Sequence, residues 1–109
     1  MSYNILYFND TVHSDILELP PTLLAKYIVL TRRMEVVGSH LGEPHTKAFG
    51  QGLFELRLKG AEGIARVFFC TMIDQQIIIL HSFIKKSQKT PTKELNIAKA
   101  RLEELKQSS

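Results

Sequence analysis

The chain has 109 residues, enough for one domain with a modest core, and its 44% hydrophobic and 23% charged content is that of a globular protein. No apolar run approaches the roughly 18 residues needed to cross a bilayer, and the N-terminus lacks the basic-then-apolar layout of a secretory leader. The lone Cys70 excludes a disulfide framework and a paired-cysteine metal site, so a cytoplasmic protein with no metal cofactor is expected. The formal net charge of +3 is unevenly spread: Asp10, Asp15 and Glu18 stand against Lys26 alone in residues 1–30, and seven Lys and Arg stand against three Glu in residues 81–109. This points to a basic working surface with an anionic partner such as nucleic acid, or else to a solvated basic face.

In chain order, the apolar and aromatic run Tyr3–Phe8 reads as a first strand. Asn9 to Leu19 holds the cap and turn formers Asp10, Ser14 and Asp15 around one short helical turn. Pro20 and Pro21 open a helix over Thr22–Val37, with Leu23, Tyr27, Leu30, Met34 and Val37 on one face at spacings of 4, 3, 4 and 3. Arg32 and Arg33 suit the negative end of its dipole, and Gly38 suits its cap. Ser39 to Gln51 reads as a loop carrying His40, His45 and Lys47, and the two histidines have no Cys or acidic partner at a recognisable metal-ligand spacing.

Three strand-like runs follow, Leu53–Lys59, Ile64–Met72 and Gln76–Phe83, joined by Gly60–Gly63 and Asp74-Gln75 as a meander of antiparallel hairpins. Thr90 as N-cap and Pro91 at the first helical position then start a helix with a narrow stripe of Leu95, Ala98, Leu102 and Leu105. The expected architecture is one α+β domain, residues 1–109. An N-terminal strand and a three-stranded meander form an antiparallel-rich sheet, with an N-terminal and a C-terminal helix on one face and the other face free.

The charge pattern of the meander is less ordinary. Strand alternation puts Phe54, Leu56 and Leu58 on one face and Glu55, Arg57 and Lys59 on the other. If the Gly60–Gly63 turn closes so that Lys59 faces Ile64, Arg57 lies opposite Arg66 and Glu55 opposite Phe68. If Met72 faces Ile77, Phe68 faces His81 and Arg66 faces Phe83. Like charges directly opposite destabilise a sheet, so two arginines held there suggest an anion, and phosphate fits a guanidinium pair.

Such a face has the parts for metal-free RNA cleavage by 2′-OH attack on the adjacent phosphate. Arg57 and Arg66 would clamp the phosphate, with Lys85 and Lys86 adding charge. Glu55 and His81 are the candidate base and acid, with a lysine of depressed pKa as the substitute. Phe68 or Phe83 would stack on a base, and Lys47, Lys59 and Lys89 would hold the strand. Each also has a plainer reading: Glu55 pairing with Arg57 or Arg66, His81 satisfied at the core edge, Phe68 and Phe83 in the core.

These residues also carry a family resemblance. The strings FELRLK, GIARVFF and IIILHSFIKKSQKTP, followed by Glu94-Leu95, Ala98 and Arg101, resemble the RelE/HigB toxins of bacterial toxin–antitoxin systems. The likeness runs from Lys47 to Arg101 and is nearest to the phage-derived HigB-like branch. It implies a small sheet with N-terminal helices and cleavage of messenger RNA in the ribosomal A site. It implies inhibition by a cognate antitoxin, often a helix-turn-helix protein, through which the pair would reach operator DNA. It places the phosphate-binding arginine at Arg66, the basic position at the end of the last strand at Lys85 or Lys86, and the preceding basic strand at Arg57 and Lys59.

The chain departs from the family pattern where Phe68 and Phe69 stand in place of a tyrosine, and where Ser87, Thr90 and Thr92 follow Lys86 without one. Two other readings remain, a ParE-like gyrase inhibitor and a non-catalytic phage accessory protein on the same scaffold.

Overall fold

The computed structural model describes residues 2–86 and 89–108. In chain order the elements are β1 (Asn4–Tyr7), α1 (Asp10–Leu17), α2 (Pro21–Val37), β2 (Thr46–Gly50), β3 (Leu53–Gly60), β4 (Gly63–Met72), β5 (Gln76–Lys85) and α3 (Thr92–Ser108). The strands form one sheet in the order β1-β5-β4-β3-β2. β1 runs parallel to β5 and the remaining neighbours are antiparallel. The α+β architecture follows the sequence expectation, with one strand more than expected. Among the described residues no helix is long and apolar enough to cross a membrane.

Asn9 starts α1 by accepting the Val12 N–H on its side-chain oxygen at 2.8 Å, and α1 has eight residues where a single turn was expected. α2 has Pro20 at its N-cap and no cap from that side chain. Its free N-terminal donors are met from a distance. Glu62, in the turn between β3 and β4, accepts the Thr22 N–H at 3.1 Å and the Thr22 hydroxyl, and that hydroxyl accepts the Ala61 N–H at 2.9 Å. A carboxylate at a helix N-terminus also complements the dipole. The approach leaves no room at Gly60, where a Cβ would stand 2.3 Å from Thr22 Oγ1.

One sheet face carries Leu56, Leu58, Val67, Phe69, Ile77 and Ile79, packed against Val12 and Ile16 of α1 and Leu23, Tyr27, Leu30 and Met34 of α2. The expected stripe of α2 is buried except at its last residue, Val37, which is 63% exposed.

The second face is not free. Leu53, Phe68, Cys70, Ile78 and Leu80 form a second core there, covered by Ala98 and Leu102 of α3. Around Phe68–Cys70 and Ile77–Leu80 the strands are continuously apolar instead of alternating, the pattern of strands buried on both sides. α3 thus covers one end of the second face and leaves the end that bears Arg57 and Arg66.

Three local readings are corrected. The stretch read as a loop, Ser39–Gln51, contains β2, a five-residue edge strand whose ladder with β3 slips between Ala48 and Gly50. Gly-containing and mostly exposed, it carries little hydrophobic alternation. Met72 pairs with Gln76, not Ile77, because Asp74 and Gln75 both take positive φ (61° and 58°) in a tight turn. A bulge then skips Leu80, between the pairs Phe69–Ile79 and Phe68–His81, and restores the expected pairs from His81 onward. Finally, α3 begins at Thr92. Pro91 O accepts the N–H groups of Glu94 and Leu95, each at 3.1 Å, while the Thr90 hydroxyl expected to cap the helix donates instead to Glu55 Oε2 at 2.9 Å.

Candidate functional site

The β3–β4 ladder has the expected register: Lys59 faces Ile64, Arg57 faces Arg66 and Glu55 faces Phe68. On β5, Lys85 faces Ile64 and Phe83 faces Arg66. Around this pair opens a cleft of about 400 Å³, lined by Arg57, Leu58 and Lys59 of β3, Ile64 and Arg66 of β4, Lys26 of α2, and Pro44 and His45 of the segment before β2.

Two guanidiniums across one rung are tolerable because a carboxylate lies beneath them. Glu55 is 1% exposed, and its Oε1 stands 3.5 Å from Arg57 Nε and 3.6 Å from Arg66 Nε. Its other oxygen accepts from Thr90. Both arginines turn Nε inward, and with Lys26 and Lys59 the cleft lining holds four cations against Glu55 beneath and Glu43 at the rim. At the rim Arg57 Nη1 reaches Glu43 at 3.9 Å, and Arg66 Nη1 donates to Ala65 O at 3.3 Å. Among the described residues Arg66 Nε is buried without a hydrogen bond, and burial holds the Arg66 guanidinium below the ordinary arginine range, with Glu55 opposing and Arg57 reinforcing. The plainer reading of Glu55, as the ion-pair partner of the arginines, is the one its geometry has, and its buried, occupied oxygens are closed to a substrate proton.

His81 also has a partner. Its Nε2 donates to Glu94 Oε1 at 2.6 Å, joining β5 to α3, and its ring stacks on Phe83 with centroids 6.1 Å apart. Phe68 is fully buried, with Phe49 edge-on at 5.7 Å and Phe83 stacked at 6.0 Å, so no ring face is left for a base. Phe83 is half-buried. Lys47 is exposed with Nζ 5.4 Å from the Phe49 centroid, and Lys59, Lys86 and Lys89 are exposed as well. Lys85 is half-buried; burial, then the charge of Arg66, holds its ammonium below the ordinary lysine value against the pull of Glu55.

Of the residues expected at the site, the cleft gathers Arg57, Arg66 and Lys59. Lys47, Lys85, Lys86, Lys89, Phe83 and His81 lie outside its lining. It adds Lys26, which carried no sequence signal beyond being the one cation of an acidic stretch, and His45, noted only beside His40. His40 points elsewhere, meeting the Phe54 ring edge-on at 4.7 Å. Among the described residues no three His, Cys, Asp or Glu side chains gather as a metal cluster.

The family model described as Phage derived protein Gp49-like (DUF891) matches residues 14–103, a span from within α1 into α3 that includes every residue of the cleft lining. No curated protein matches the chain.

Proposed function

We propose, on the premise that the chain belongs to the Gp49-like family of phage-derived proteins, that it is the toxin of a toxin–antitoxin pair and cleaves messenger RNA on the ribosome. The observation that carries this reading is the cleft itself: two guanidiniums opposed across one rung, sharing one buried carboxylate, with Lys26 and Lys59 at the rim. A phosphodiester supplies the anion this arrangement lacks, and planar guanidiniums bind its oxygens in pairs. The same residues stabilise the charge that grows on a phosphorane during 2′-OH attack. The likeness of residues 47–101 to the RelE/HigB toxins, and to their phage-derived HigB-like branch, supports the same assignment and a cognate antitoxin, often a helix-turn-helix protein, as the inhibitor.

Primer extension on a defined messenger in a reconstituted translation system tests this, with wild type beside Arg66→Ala. The expected result is new 5′ ends that require ribosomes and are lost, by 100-fold or more, in the variant. Intact messenger with translation-competent ribosomes would overturn the nuclease, and gyrase supercoiling would be assayed next.

A further inference from the structure

We infer that His45 is the general base of the cleft, taking the proton from the attacking 2′-OH; this rests on the proposed RNA cleavage. The two groups that sequence suggested for proton transfer are engaged elsewhere, Glu55 beneath the arginines with Thr90 and His81 with Glu94. His45 is half-buried in the cleft lining, and among the described residues no side-chain hydrogen bond, ion pair or ring contact engages its imidazole.

Its backbone, by contrast, is fixed. His45 N–H donates to Gly42 O at 2.9 Å, Thr46 N–H to the same oxygen at 3.0 Å, and the Thr46 hydroxyl accepts from Gly42 N–H at 3.1 Å. His45 O accepts the Arg57 N–H at 2.8 Å, so the histidine is hydrogen-bonded directly to one of the two phosphate-binding residues. A rigid main chain with a free imidazole beside an anion site is what a proton-transfer residue requires. The charged groups facing it are Lys26 from α2, Arg57 and Lys59 from β3 and Arg66 from β4, with Glu43 on its own segment reaching Arg57.

In the step, neutral His45 accepts the 2′ proton as the O2′–P bond forms and the P–O5′ bond breaks. The leaving O5′ takes a proton from water at the open mouth of the cleft. The products are a 2′,3′-cyclic phosphate and a 5′-OH end, with no change of oxidation state.

The test is the pH dependence of cleavage, from pH 5.5 to 8.5, of a defined messenger held on purified ribosomes, for wild type, His45→Gln and His45→Asn, with binding to ribosomes measured alongside. Expected is a wild-type rate that rises with pH to a plateau. His45→Gln should lose about 10²- to 10⁴-fold in rate and lose that rise, with ribosome binding and melting temperature kept. A messenger with sulfur in place of the scissile O5′ should not rescue the variant, since a better leaving group does not replace a base. Cleavage by His45→Gln at the wild-type rate overturns the role of His45 and leaves the nuclease reading standing. Absence of wild-type cleavage overturns both. Should neither variant fold, a wild-type rate without an ionisation in that window overturns the proposal by itself.

Discussion

Arg57 and Arg66 face each other across the β3–β4 ladder and are held by one oxygen, Glu55 Oε1, at 3.5 and 3.6 Å. Glu55 lies two ladder positions away from this pair and so on the same sheet face, and Thr90, just before α3, donates to its second oxygen. One buried carboxylate therefore joins the basic rung, the sheet and the start of the last helix.

Glu55→Gln keeps an acceptor for Thr90 but leaves two guanidiniums opposed with only the exposed Glu43, 3.9 Å from Arg57, as counter-charge. The arginine side chains are 29% and 11% exposed, so they turn partly to water, and a loss of about 2 kcal/mol is expected, below the 3–5 kcal/mol of a fully buried broken pair. Urea unfolding measures it. Phosphate or sulfate should recover part of the loss by occupying the cleft, and equal midpoints for wild type and variant would show that Glu55 does not hold the pair.

Gly60→Ala sets a methyl 2.3 Å from Thr22 Oγ1, where the β3–β4 turn docks on α2. The turn must back away and release Glu62 from the helix N-terminus, at about 1–3 kcal/mol. Thr22→Ala removes the obstructing hydroxyl but also its bonds to Ala61 and Glu62. The double variant is therefore expected to be less destabilised than the sum of the two, by at least 0.5 kcal/mol, in thermal melts. Strict additivity would mean that the two groups do not meet.

Burial pushes the Cys70 thiol up to about 11 from an ordinary value of 9.0, and burial followed by the Tyr7 hydrogen bond raises the Tyr27 phenol. In both, the folded state keeps the proton more tightly than the unfolded state. The contribution of Cys70 is complete below pH 9 and is lost as pH rises through 11, and that of Tyr27 begins to fall as pH passes the ordinary phenol value of 10.0. Stability measured from pH 8 to 11 should decline, less steeply in Cys70→Ala, and a thiol reagent at pH 8 should label Cys70 only on unfolding. Fast labelling of the folded protein would contradict its burial.

How much was legible in the sequence depends on how far apart the partners lie along the chain. The stripe Leu23, Tyr27, Leu30 and Met34 defined the buried side of α2, because helix periodicity is a property of one segment. The four-residue link Gly60–Gly63 set the Arg57–Arg66 rung, because a short turn leaves its flanking strands few registers. The Phe68–His81 pair was foreseen although the Met72 end of that hairpin was read one residue out: the Leu80 bulge offsets the tighter turn, and no local pattern announces a bulge. β2 was missed because an exposed edge strand with two glycines at or beside its end has almost no alternation to read.

Sequence alone determined the helices and strands that periodicity writes, the basic rung of the first hairpin and the lack of a paired-cysteine site. Tertiary structure decided which of those charges are usable. Glu55 is closed off by Thr90, 35 positions away, and His81 by Glu94, across the joint between β5 and α3. α3 covers one end of a face expected to be free, and the Gly42–Thr46 turn brings His45 beside Arg57. Alternation and turn chemistry are set by neighbours in the chain, whereas burial and ion pairing are set by neighbours in space.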